Sequence, residues 1–94
     1  MYLAKVTIDT HVPRRYPADR LHQELLRNAA AADRLQHVRI DVDLDGTCIA
    51  FCLYVQARDK FHAGAVAEQL CRRTMASICR DGAAWAVQSI QVGP

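Results

Sequence analysis

The sequence has no apolar run long enough to cross a membrane, because nowhere do about 18 apolar residues follow one another. Its N-terminus, Met1–Lys5, also lacks the basic stretch and the apolar segment of a secretory signal. Cysteines of cytosolic proteins are generally kept reduced. We therefore expect a cytoplasmic protein with reduced cysteines and no membrane contact.

Aromatic residues and net charge are scarce as well. Aromatic side chains make up 6% of the chain, and twelve Lys and Arg oppose ten Asp and Glu, for a formal charge of +2. So small a surplus does not by itself indicate a nucleic-acid partner. The sequence also contains no glycine loop for phosphate and no nucleophile elbow. With no motif that fixes a reaction, we favour a protein that is not an enzyme and has no cofactor.

The four cysteines do not have the spacing of a metal or disulfide site, and no C-x-x-C pair occurs. Cys48 and Cys52 fall on one predicted strand, about 13 Å apart, which is too far for a disulfide or a shared zinc ion. Cys71 and Cys79 fall on a predicted helix, about 12 Å apart along its axis. We expect no metal and interpret all four as small apolar packing residues.

Ninety-four residues are enough for one domain, 1–94. Period-two alternation indicates half-buried strands, and helix-forming stretches lie between them. Asp45-Gly46 is a strong hairpin signal, and Asp59 is a plausible N-cap for the second helix. The patterns predict strands over Leu3–His11, His37–Leu44, Thr47–Ala57 and Trp85–Val92, and helices over Ala18–Ala32 and Phe61–Arg80.

The order β-α-β-β-α-β predicts an α+β ferredoxin-like sandwich, in which two helices cover one face of a four-stranded antiparallel sheet. The first and third strands would be central. We also expect these two strands to run parallel and to end at one edge, where both helices begin. The buried helix stripes are predicted to be Leu21, Leu25 and Ala29, with Leu26 beside them, and Val66, Leu70 and Ile78.

The opposite face of the predicted sheet would be bare in a monomer. We expect it to bind a second copy or an unidentified protein, because a small domain gains burial by pairing sheets. A solvated face and an RNA platform are the alternatives; the single aromatic residue on the third strand's open side and several aspartates do not favour RNA. The predicted interface residues are Lys5, Thr7, Arg39, Asp41, Cys48, Ala50, Cys52 and Tyr54.

A second candidate site is the edge where both helices are expected to begin. Helix N-termini and arginines favour anions, and histidines serve acid–base chemistry near neutral pH. This edge could therefore bind an anionic ligand, with His22 and His62 as the candidates for catalysis. The ligand-binding candidates there are His11, Arg14, Arg15, Tyr16 and Arg58.

The segment Met1–Ile8, followed by Leu21-His22-Gln23, resembles the start of the CRISPR RNA-processing endoribonucleases of the CasE type. The resemblance implies RNA cleavage with a part for His22. It covers about a quarter of the chain. Members of that family have two ferredoxin-like domains and a glycine-rich loop near the C-terminus, whereas this chain has one predicted domain and ends in Gly93-Pro94.

The favoured function is therefore that of a small accessory protein that acts as a homo-oligomer through its open sheet face or an edge strand. A small enzyme or anion binder is the first alternative, and an RNA-binding or RNA-processing module is the second.

Overall fold

The chain is an α+β structure with a four-stranded antiparallel sheet and two helices. A computed structural model describes residues 1–10, 17–29, 35–43, 46–79 and 84–94. The strands lie side by side in the order β2-β3-β1-β4. The elements are β1 (Tyr2–Asp9), α1 (Ala18–Asn28), β2 (Leu35–Val42), β3 (Cys48–Val55), α2 (Lys60–Ile78) and β4 (Ala86–Gly93).

The type and order of all six predicted elements are confirmed, and their bounds shift by a few residues. The predicted ends at His11, Leu44 and Arg80, and residues 30–32 of the first predicted helix, lie outside the described residues. The predicted N-cap of α2 is confirmed, since the Asp59 carboxylate accepts a hydrogen bond from the His62 backbone N–H at 2.8 Å.

The expectation that the first and third strands run parallel is wrong. β1 pairs with β3 antiparallel, so that Tyr2 lies opposite Val55 and Asp9 lies opposite Cys48. The crossover through α1 returns the chain in the direction of β1, and the hairpin after β2 then reverses it. Gly46, at a φ of 73°, makes this reversal possible because a side chain would be strained there.

The core lies between one face of the sheet and the two helices. Alternate residues of β1 and β3 are fully buried on this face, while their neighbours are not. α1 contacts β2 and α2, and α2 contacts β1, β3 and β4, so both helices cover the same face. The strand residues of this core are Ala4, Val6, Ile8, Val38, Ile49, Phe51, Leu53 and Val55.

The predicted helix stripes are only partly correct. Leu21 and Leu25 of α1 are buried, but Leu26 is 53% exposed. In α2 only Leu70 of the predicted residues is fully buried. The helix instead packs largely through smaller side chains, which bring it close to the sheet. Its buried residues are Ala63, Ala67, Leu70, Cys71, Thr74 and Met75.

α2 approaches the sheet closely over β4. A Cβ atom added to Gly64 would lie 3.3 Å from Cγ2 of Val92, which is a tight contact. The polar atoms in the core are also satisfied, because no buried side-chain nitrogen or oxygen lacks a hydrogen-bond partner in the part of the chain that the structure describes. Within that same part, neither helix is long and apolar enough to cross a membrane.

Candidate interaction surface

The side of the sheet opposite the helices is an open face. Among the described residues, no other element packs against it. The register of the four strands arranges its side chains in rows that run across the sheet, in the order β2, β3, β1, β4. We call these the aromatic row (His37, Tyr54, Leu3, Gly93), the basic row (Arg39, Cys52, Lys5, Gln91), the alanine row (Asp41, Ala50, Thr7, Ser89) and the acidic row (Asp43, Cys48, Asp9, Ala86).

All eight predicted interface residues lie on this face. Cys48, Ala50 and Cys52 from the central strand β3 are half-buried, because they are short and stand between longer neighbours. Lys5 and Arg39, on either side of Cys52, are exposed. The centre of the open face therefore consists of short side chains, and longer charged side chains project into solvent on both sides of it.

Charge changes sign along the strands of the open face. The basic row contributes Arg39 and Lys5, whereas the alanine and acidic rows contribute Asp41, Asp9 and Asp43. Arg39 Nε lies 3.3 Å from a carboxylate oxygen of Asp41. Both side chains are more than half exposed, so this ion pair contributes little stability by itself and leaves both groups accessible to a partner.

The aromatic row lies at the end of the open face next to the basic row, opposite the end formed by the acidic row. The rings of His37 and Tyr54 lie 6.1 Å apart between centroids and are tilted by 50°. Such a pair holds two planar side chains in a fixed arrangement beside the exposed strand edge.

The predicted histidine edge depends on parallel first and third strands, and that premise is wrong. The grouping of the histidines itself stays a prediction, because His11 lies outside the described residues. Because β1 and β3 are antiparallel, the chain leaves β1 toward α1 and leaves β3 toward α2 at opposite ends of these eight-residue strands. The two helices nevertheless come together at their C-terminal ends, where the Asn28 side-chain amide donates a hydrogen bond to the Ser77 hydroxyl at 3.5 Å. His62 lines a cavity of about 360 Å³ with Gln56, Ala57 and Arg58. The candidates His11, Arg14, Arg15 and Tyr16 lie outside the described residues.

His22 lies beside β2. It lines an open groove of about 200 Å³, whose other residues are Leu26, Leu35, Gln36, His37 and Val38. His22 and His62 are both exposed and belong to different depressions, so the structure does not join the two catalytic candidates into one site.

Several residues of the open face were missed by the sequence analysis. His37 and Leu3 complete the aromatic row, and Gln91 and Ser89 extend the central rows onto β4. The alternation of apolar and polar residues in β4 is irregular, because the register of β4 against β1 shifts between Thr7 and Ile8. This bulge places Gln88 out of the alternation. The sequence therefore does not indicate which β4 residues lie on the open face.

None of the four cysteines forms a disulfide. Cys48 and Cys52 lie on the open face, while Cys71 and Cys79 are buried on the helix side. Burial raises the pKa of the Cys71 thiol well above its ordinary value of 9.0, because the thiolate would lose its hydration. In the described part of the chain, no three His, Cys, Asp or Glu side chains are grouped so as to hold a metal ion.

No family model matches the chain, and no curated protein compared with it is detectably similar in sequence. The resemblance to the CasE-type endoribonucleases therefore depends only on the N-terminal residues given above. The open sheet face is thus interpreted from its own geometry and charge.

Proposed function

We propose that this protein is a small cytoplasmic interaction module with a ferredoxin-like fold, and that it works as a homodimer whose two open faces stack on each other. The order β-α-β-β-α-β and the sheet order β2-β3-β1-β4 support the ferredoxin-like fold.

The observation that carries the proposal is the self-complementary charge pattern of β2 on the open face. Consider a two-fold axis in the plane between two stacked faces, perpendicular to the strands and passing between the basic and alanine rows. This axis reverses the direction of the strands in the second copy. The basic row therefore faces the alanine row of the second copy, and the aromatic row faces its acidic row. Arg39 then faces Asp41 of the second copy, and His37 faces Asp43.

The same axis matches shape as well as charge. Cys52 faces Ala50 of the second copy at the centre, where two small side chains allow close packing of the sheets at about 10 Å. Lys5 faces Thr7 beside them. A two-fold axis along the strands would instead bring each basic row onto a basic row, which disfavours it.

The area of the open face determines how much of it must be buried in a stable dimer. Four strands of about eight residues give a face of roughly 19 by 27 Å, or roughly 500 Å² for each copy. Two copies would cover about 1,000 Å², which is the lower limit for a stable biological interface. Only contact over all four rows reaches that limit, so the proposed dimer uses the whole face.

We do not extend the proposal to RNA binding. The described part of the open face has one exposed aromatic side chain on its central strands, Tyr54. Asp9, Asp41 and Asp43 would repel phosphate on the same face.

The decisive experiment places a large charge at the centre of the proposed interface. We expect Ala50→Arg to lower the molar mass by half, measured by light scattering after size exclusion at micromolar concentration. The melting temperature should stay nearly constant if measured at a concentration where both proteins are monomeric. Gln69→Arg, on the exposed side of α2, adds the same charge away from the face and should leave the mass unchanged. A wild-type protein that is monomeric even at high concentration would refute the proposal.

A further inference from the structure

The edge strand β4 carries no charged residue. Its sequence is Ala-Val-Gln-Ser-Ile-Gln-Val-Gly, from Ala86 to Gly93. Edge strands expose unpaired backbone N–H and C=O groups, and proteins usually protect them with charges or prolines against pairing with another chain. The other edge strand, β2, does carry charges at Arg39 and Asp41. β4 is therefore the less protected edge of this sheet.

Apolar side chains are exposed beside this edge. Ile90 is 36% exposed, although its side chain lies on the helix side of the sheet, near the position where a Cβ of Gly64 would be. Phe61, one helical turn before Gly64 on α2, is 91% exposed. An apolar border next to unpaired backbone groups fits a second β-strand better than it fits water.

The proposed dimer places two such edges together. Its two-fold axis stacks each strand on the equivalent strand of the second copy. Both β4 strands therefore lie at the same side of the dimer. On β4, the axis passes between Gln91 of the basic row and Ser89 of the alanine row. It therefore crosses β4 at the level of Ile90.

We infer that β4 pairs antiparallel with β4 of another copy, about a two-fold axis at Ile90, and that two dimers join in this way into a tetramer. The tetramer and the position of the axis at Ile90 rest on the proposed function; the pairing of β4 edges does not. Because the two axes are perpendicular and meet at the level of Ile90, the assembly closes at four chains instead of continuing as a fibre.

The residues that would meet across this edge are compatible. Ile90 lies opposite Ile90 of the other copy on the helix side, where β-branched pairs stabilise a sheet. Ser89 lies opposite Gln91, so a hydroxyl and an amide can form a hydrogen bond on the open side. No like charges oppose each other anywhere along the pair. The bulge at Gln88 marks where the regular pairing ends.

The two interfaces can be separated by substitution. We expect wild type to have four times the chain mass of 10.5 kDa in light scattering. Ile90→Lys opposes two charges across the edge and should halve that mass, and Ala50→Arg should also halve it. The double variant should be monomeric. Gln36→Lys, which adds the same charge to the exposed side of β2, should leave the tetramer intact.

Hydrogen exchange on wild type tests the edge without any substitution. The outward-facing amides of residues 89–91 should exchange as slowly as those of the central strands, whereas outward-facing amides of β2 should exchange quickly. Fast exchange along β4 in a protein at high concentration would overturn the strand pairing.

The outcomes also separate this inference from the proposed function. A dimer that Ala50→Arg dissociates and Ile90→Lys does not would keep the proposed function and overturn the edge pairing. A dimer that Ile90→Lys dissociates and Ala50→Arg does not would keep the edge pairing and overturn the proposed function. A monomeric wild type would overturn both.

Discussion

At the scale of single residues, Cys71 shows how burial alone sets a chemical property. Its thiol is fully buried among the side chains that α2 packs against the sheet. The low dielectric of that position disfavours the thiolate, so its pKa is raised in the folded chain relative to the ordinary 9.0. Well below pH 9 the thiol is neutral in both the folded and the unfolded state, and it does not affect the pH dependence of stability.

Above pH 9 the unfolded chain releases this proton and the folded chain keeps it. The free energy of unfolding should therefore fall as the pH rises, by up to about 1.4 kcal/mol per pH unit from this group. Urea denaturation from about pH 8 to about pH 11 measures the slope. Cys71→Ala should lose the part of the slope that comes from Cys71, whereas Cys52→Ala, at the half-buried open face, should retain it. Equal slopes in Cys71→Ala and wild type would contradict this assignment.

At the scale of secondary-structure elements, the start of α2 depends on one side chain. The Asp59 carboxylate accepts the backbone N–H of His62, and no acidic residue within the first turn supplements it. Asp59→Ala should therefore lower the free energy of unfolding by about 1 kcal/mol. Asp59→Asn keeps an acceptor oxygen and should lose much less. The ion pair with Arg58 at 3.8 Å is exposed, so Arg58→Ala should have little effect on stability. Thermal or urea denaturation of the three variants measures these differences.

The elements could be predicted because their patterns are local. Alternation in β1, β2 and β3 reports which side of each strand is buried, and this is why all eight interface residues fall on the open face. The direction of β3 was also available from the sequence, since the Asp45-Gly46 hairpin must reverse the strand that follows β2. Assuming parallel strands despite that turn removed the basis on which the histidine edge was predicted.

Other features could not be read from local patterns. A search for large apolar residues misses the buried stripe of α2, which uses Ala63, Ala67 and Thr74 because the helix lies close to the sheet. The rows of the open face depend on register between strands that are far apart in the chain. The bulge at Gln88 has no local sequence signal, so Gln91 and Ser89 could not be assigned to their rows.

At the scale of the whole molecule, two surfaces remain outside the single core. A chain of this length buries only about 60–65% of its unfolded surface. In the described part of the chain, the open face and the β4 edge are uncovered. Stacking a second sheet on the open face, or pairing a second strand with β4, would bury more surface. In the proposed tetramer, the register of the strands places both symmetry axes at the same level, so the two surfaces belong to one assembly.

The proposed two-fold axis predicts which charged residues of the two stacked faces lie opposite each other. Arg39 faces Asp41 of the second copy, and the symmetry repeats this contact on the other side of the axis. Arg39→Asp alone should bring carboxylates together, and Asp41→Arg alone should bring guanidinium groups together. Each single variant should raise the dissociation constant of the face contact about tenfold, a change of about 1.4 kcal/mol.

The double variant, Arg39→Asp with Asp41→Arg, restores opposite charges at the same two positions. It should return the dissociation constant to near the wild-type value, measured by analytical ultracentrifugation in the Ile90→Lys background so that only the face contact is observed. The swap also restores the ion pair within β2, so monomer melting temperatures are compared to separate the two effects. If the charges act only within one strand, the melting temperatures will change and the dissociation constants will not. Recovery of the dissociation constant would instead place opposite charges across the two-fold axis, because a swap between positions that do not face each other leaves the repulsion in place.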